Sequence, residues 1–192
     1  KIQTDYLSEF NGNTRLALAY LDEKNNADYV FYQDPTHIFN IKLPELSEGD
    51  ILLHGSSFSM NQKNQKYLEE LISLCRMKKA LIYYDPNFRQ SYLQRLNEVL
   101  PAIFNNIENA HIIKGSDEDF EGFLGTRDIE STFNKINLSG DKVLIYTMGG
   151  EGIWFRSKKY KIFVETDKIK PVSTIGAGDT FNAGILYGLI KK

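Results

Sequence analysis

The stretch STIGAGDTFNAGILYGLI, residues 173–190, sets Gly176, Ala177 and Gly178 directly before a carboxylate, Asp179, at the start of an apolar run with helical spacing. Glycines let backbone N–H groups approach an anion closely, and the first turn of a helix carries donors with no intrahelical partner. The N–H groups of Ala177, Gly178 and Asp179 could therefore converge on an anionic oxygen cluster such as a phosphate. An acid beside a phosphate is repelled unless it has its own task. A general base that takes the proton of a hydroxyl as its oxygen attacks a phosphoryl group is such a task, and Asp179 fits it. The competing account is a glycine turn followed by a first-turn acid that complements the helix dipole.

Other polar clusters follow short apolar runs: HGS, YDPNFR, KGSDED and TMGGEG. Asp85, Pro86 and Asn87 suit a turn after a strand, and Arg89 adds a planar cation able to hold an anionic oxygen or pair with a surface carboxylate. Gly149, Gly150 and Gly152 suit a tight hairpin. In GSDEDFEGFLG, Ser116 or Asp117 is a good N-cap, and the acids after it favour a helix start without any catalytic role. His37, His54 and His111 have no metal-site spacing, and none is assigned chemistry.

These residues need a scaffold that gathers them. The runs DILLHGS, KALIYYDPN, NAHIIKGS and KVLIYTMGG read as short buried strands separated by helical stretches, the rhythm of a parallel sheet. NQKYLEELISLCRMKK places Leu68, Leu71, Ile72 and Cys75 at helical spacing, and RQSYLQRLNEVLPAIFNNI repeats the pattern with an interruption expected at Pro101. In the closing helix Phe181, Ile185 and Leu189 form a stripe widened by Leu186 and Ile190, while Ala183, Gly184 and Gly188 permit close approach, so burial is expected. TRLALAYLDE and ADYVFYQDP suit an early hairpin across KNN, and residues 151–166 a second one around SKKYK. The expected architecture is a doubly wound α/β body with a small β lid; ligands collect beyond the carboxyl ends of such strands, where all four polar clusters fall.

Composition narrows the function classes. With 192 residues, of which 42% are hydrophobic, the chain can bury one sizeable core, and a net charge of −2 supplies no basic field for nucleic acid. Small-molecule partners are favoured. No run approaches the roughly 18 apolar residues of a membrane span, no signal-peptide pattern opens the chain, and the single Cys75 sits in an apolar run. A soluble cytoplasmic protein, without nucleic-acid or membrane partners, is expected.

STIGAGDTFNAGILYG strongly resembles the second signature of the PfkB, or ribokinase-like, family of carbohydrate kinases. In that family Gly-Ala-Gly-Asp forms the anion hole, so the resemblance makes Gly176, Ala177 and Gly178 the hole and Asp179 the catalytic base. YYDPNFR resembles the Asp-Pro-Asn-x-Arg segment of fructokinase-like and 2-keto-3-deoxygluconate kinase-like members, which places Asn87 and Arg89 with the sugar. YTMGGEGIWF resembles the Thr-x-Gly-x-x-Gly turn near the nucleotide phosphates, and so assigns Thr147, Gly149 and Gly152, with Lys114, to nucleotide binding.

The family's Asn-x-x-Glu element, associated with magnesium, falls on Ser116 and Asp119, a departure at both positions that leaves Asp119 as the metal candidate. Many relatives carry Asp-Thr-Thr or Asp-Thr-Val before the anion hole, where the leading acid helps bind a monovalent cation. Here Ser173, Thr174 and Ile175 stand instead, and a monovalent-cation requirement stays open.

The resemblance thus implies a three-layer αβα sandwich with a mostly parallel sheet, a lid-like hairpin and connection over residues 1–49, and a nucleotide-binding body over 50–192. It implies an ATP- and Mg2+-dependent sugar kinase, with a fructose-like acceptor favoured and a homodimer through the lid among the arrangements relatives use. It also implies segments before Lys1 and after Lys192, which carry most sugar and adenine contacts, so that the chain reads as truncated at both ends. The rival expectation is a nucleotide- or sugar-binding fragment without turnover, which would have no need of Asp179 beside an intact Gly-Ala-Gly.

Overall fold

The computed structural model describes residues 4–7, 12–14, 16–21, 27–32, 42–136 and 142–191. His37 and the KNN turn at 24–26 lie outside the described residues. The chain forms two compact units, one made of Lys1–Glu45 with Ile169–Lys192 and the other of Leu46–Lys168.

In the first unit, β1 (Leu16–Leu21) and β2 (Ala27–Tyr32) pair antiparallel as expected, and the register sets Leu16 opposite Tyr32 and Leu18 opposite Val30. The second unit carries a six-stranded sheet in the order β3 (Ile51–Gly55), β4 (Leu81–Asp85), β5 (Ile112–Ser116), β6 (Val143–Thr147), β7 (Ile153–Arg156) and β8 (Lys161–Val164). The first four strands are parallel, and β7 and β8 add an antiparallel hairpin around residues 157–160. The expected strands and both hairpins are all present.

Helices α1 (Ser56–Met60), α2 (Gln62–Lys78), α3 (Leu96–Asn109), α4 (Asp117–Leu124) and α5 (Ile129–Ile136) supply one core with Ile82, Tyr84, Ile113, Leu144 and Tyr146 of the sheet. Strand alternation turns Tyr83 and Ile112 to the opposite face, where they are also buried. Sheet faces apolar on both sides explain why these strands read as nearly continuous hydrophobic runs. Leu68, Leu71, Ile72 and Cys75 of α2 are buried at the predicted spacing. The helix begins at Asn61, whose side chain accepts from the Lys63 amide at 3.0 Å. It ends with Lys79 in the left-handed region, preceded by Arg76 and Lys78, cations that suit the negative end of the helix dipole.

Two expectations are corrected. Pro101 does not interrupt its helix: α3 runs through it, and the irregularity lies earlier, in a 3-10 segment over Gln90–Arg95. Pro101 is the sixth residue of α3, so the ring removes one ladder bond near the helix start, while buried Val99, Ile103 and Ile107 hold the helix to the core. The closing helix α6 (Ala177–Ile190) is covered only in part: Phe181, Ile185, Leu186 and Leu189 of its stripe are half-buried. Of its residues only Asn182 is fully buried, and Ile190, at the end of the stripe, is 70% exposed.

Among the described residues, no helix is long and apolar enough to cross a membrane.

Candidate active site

Parallel register brings the polar strand ends together. Gly55 pairs with Asp85 and Ser116 with Thr147, so β3 to β6 finish along one edge of the sheet and their following loops share it. Asp85, Asn87, Lys114, Ser116, Asp119, Thr147 and Gly149 all belong to this edge or the turns that leave it, and Arg89 follows at the start of the 3-10 segment.

Asp85 organises the turn after β4. Its Oδ1 accepts from the Asn87 amide at 3.1 Å, and its Oδ2 accepts from Lys114 Nζ at 2.9 Å in an ion pair whose side chains are 11% and 9% exposed. Asn87 sits at φ 42°, a left-handed conformation that asparagine tolerates better than most residues. Phe88 is buried, with its ring 5.7 Å from that of Phe123. Lys114, expected beside the nucleotide, thus stands between β4 and β5 with its ammonium on Asp85.

Ser116 caps α4, and Asp119 returns the bond, forming a reciprocal capping box. Burial pushes the Asp119 carboxyl above the usual carboxylate range against the lowering effect of its bonds to Ser116; Asp85 adds to the rise and Lys114 opposes it. Thr147 donates its hydroxyl to the Gly115 carbonyl at 3.3 Å. Gly149 and Gly152 lie at φ 53° and 140°, and the Met148 amide donates to the Gly152 carbonyl at 2.9 Å, so the glycine turn is the tight link between β6 and β7. Among the described residues no group of three or more His, Cys, Asp or Glu side chains could hold a metal ion. Asp119 on its own still matches Mg2+, which commonly takes one or two carboxylates and completes its shell with phosphate oxygens and water.

In the other unit, Gly176 caps α6 at φ 78°, a geometry that glycine adopts without strain. The Ala177 amide donates to the Thr174 carbonyl at 3.2 Å, which withdraws one of the three expected anion donors; Gly178 and Asp179 follow in the first turn, and among the described residues no side chain caps the start. Ser173 Oγ accepts from the Ile175 amide at 3.1 Å, a local turn just before the glycines.

Sequence reasoning missed two features. A Cβ on Gly55 would stand 1.7 Å from the Asp85 carbonyl oxygen, so β3 can lie this close to the turn only without a side chain. A lone glycine closing a short apolar run was the available signal. His54 is buried beside Tyr84, with ring centroids 5.1 Å apart, and neither of its ring nitrogens has a hydrogen-bond partner among the described residues. Burial lowers its pKa to about 4. Histidine type alone carried no signal of this.

A mixed, mostly parallel sheet with its polar residues gathered at the carboxyl edge defines an α/β protein of the ribokinase-like fold. The chain belongs to the pfkB family of carbohydrate kinases, whose profile, described as pfkB family carbohydrate kinase, matches residues 1–192. It is 30% identical over 193 residues to an ATP-dependent 6-phosphofructokinase of Thermoanaerobacterium thermosaccharolyticum, covering 99% of this chain and 60% of that protein. Against a fructokinase of Rhizobium leguminosarum bv. trifolii it is 30% identical over 166 residues, covering 85% of this chain and 51% of the relative. The crystal structure of fructokinase from Vibrio cholerae O395 in fructose, ADP and calcium ion bound form superposes with a TM-score of 0.79 at 22% identity, over 95% of this chain and 60% of that one. The chain therefore spans between about half and three fifths of the length of these relatives.

Proposed function

We propose that the protein is an ATP-dependent sugar kinase that transfers the γ-phosphoryl group to a sugar hydroxyl, with a fructose-like acceptor favoured. The observation that carries this reading is Asp179 in the first turn of α6, behind a left-handed Gly176 and with no side-chain cap on the helix start among the described residues. Asp179 takes the hydroxyl proton as the sugar oxygen attacks, and the Gly176–Ala177–Gly178 backbone holds the charge that develops on the phosphoryl oxygens, with the Gly178 and Asp179 amides as donors. Asn87 and Arg89 bind the sugar. Thr147, Gly149 and Gly152 border the nucleotide phosphates.

Asp119 is the residue that would hold Mg2+, directly or through water. There the ion would neutralise part of the charge on the nucleotide phosphates. The fructose-like preference is supported by the Asp85-Pro86-Asn87-x-Arg89 segment and by the fructokinases among the relatives. Self-association through the β1–β2 hairpin is supported by one of its faces, where Leu16, Tyr20, Val30 and Tyr32 are all exposed.

The test is ATP consumption by the full-length protein over a panel containing fructose, fructose 6-phosphate, ribose, 2-keto-3-deoxygluconate and nucleosides. Stoichiometric ADP release with fructose or its phosphate supports the reading. Nucleotide or sugar binding with no turnover on any acceptor overturns it in favour of a binding protein.

A further inference from the structure

We propose that Lys114 is a positioning residue for the sugar-side turn, acting through Asp85. This rests on the kinase reading above, which places Asn87 and Arg89 at the sugar. Asp85 ends β4 and Lys114 lies on the neighbouring parallel strand β5, and strand alternation puts both side chains on the face that carries Tyr83 and Ile112. The ion pair is 2.9 Å long and nearly excluded from water. At that depth each charge depends on the other, because a buried carboxylate without a partner is strongly disfavoured.

The same carboxylate fixes the turn. Its second oxygen accepts from the Asn87 amide at 3.1 Å, and Asn87 is held at φ 42°, where a side-chain-bearing residue needs support from its surroundings. Buried Phe88 anchors the next residue against Phe123, so the turn is held on one side by packing and on the other by Asp85. Without the Lys114 ammonium, the Asp85 carboxylate loses its buried partner and turns toward water, which loosens its grip on Asn87 and the backbone leading to Arg89. An ammonium committed to this carboxylate would have to break the pair to reach a phosphate, which is why the turn, not the nucleotide, is its partner.

The test compares the full-length parental protein with Lys114→Met, Lys114→Arg and the doubly neutral Lys114→Met/Asp85→Asn. The expected result for Lys114→Met is a sugar KM raised roughly tenfold, the scale of one charge-assisted hydrogen bond, with the ATP KM changed less than about twofold. Lys114→Arg keeps the charge and recovers most of the loss. Should Lys114→Met fail to fold, the doubly neutral variant, which strands no buried charge, carries the same expectation of a selective rise in sugar KM.

Amide hydrogen exchange gives a readout independent of turnover: in Lys114→Met the amides of Asn87, Phe88 and Arg89 exchange faster while those of α2 and α3 keep their protection. A raised ATP KM with a parental sugar KM overturns the proposal and makes Lys114 a nucleotide contact. A uniform rise in exchange across the sheet overturns it in favour of a purely structural pair. If the parental protein phosphorylates no sugar, the kinase reading falls, and exchange alone judges the latch: selective loosening at 87–89 sustains it and unchanged exchange there refutes it.

Discussion

Ser116 and Asp119 hold each other at the start of α4: the Asp119 amide donates to Ser116 Oγ at 3.0 Å, and the Ser116 amide and hydroxyl donate to Asp119 Oδ2 at 2.7 and 2.8 Å. The carboxylate proposed to meet Mg2+ thus also holds a helix start, and two substitutions separate the tasks. Asp119→Asn keeps an oxygen acceptor for the box but loses the charge, whereas Asp119→Ala loses both. Thermal melts should show Ala less stable than Asn by about 1 kcal/mol, while magnesium titrations of ATP turnover shift to higher concentration for both. A parental magnesium profile in the two variants would leave Asp119 as a cap and nothing more.

His54 makes stability depend on acid. Its folded pKa of about 4 lies below the ordinary value of 6.5, so the folded protein favours the neutral ring. Its contribution is complete above pH 6.5 and is lost as pH falls through that window toward 4, by up to about 3 kcal/mol. Urea denaturation at pH 7 and pH 4.5 should show a smaller drop in stability for His54→Phe than for the parental protein. Equal drops would mean that the ring is solvated in the folded state.

Gly55→Ala should be costly although the change is one methyl group. The new Cβ would meet the Asp85 carbonyl at 1.7 Å, a backbone atom that cannot swing aside, so β3 or the Asp85 turn must move. Denaturant midpoints are expected to fall by the equivalent of about 3 kcal/mol, the upper part of the range for overpacking. A parental midpoint would show that the strand end shifts freely.

Much of the fold was legible because it depends on local pattern. Short apolar runs with Ile82, Tyr84, Ile113 and Leu144 announce buried strands, Leu68 to Cys75 a helix face, and Asp85-Pro86-Asn87 a turn, each within a window of a few residues. What was hidden depends on partners far along the chain. Lys114 and Asp85 are 29 residues apart and meet only because β4 and β5 pair in one register, which composition does not specify. Pro101 looked like a break because its effect depends on how far into α3 it falls. The apolar stripe of α6 identified the face that is half-buried, from Phe181 to Leu189, but a stripe does not state how completely that face is covered.

The role proposed for Asp179 as the base is isolated by Asp179→Asn in the full-length protein. Asparagine keeps the size of the side chain and remains compatible with the helix start, but its amide cannot take the hydroxyl proton. Steady-state kinetics on the preferred sugar should show kcat reduced about 10²- to 10⁴-fold, with nucleotide affinity by titration close to the parental value. An Asn variant that phosphorylates its sugar at the parental rate would reduce Asp179 to a first-turn acid and contradict the mechanism.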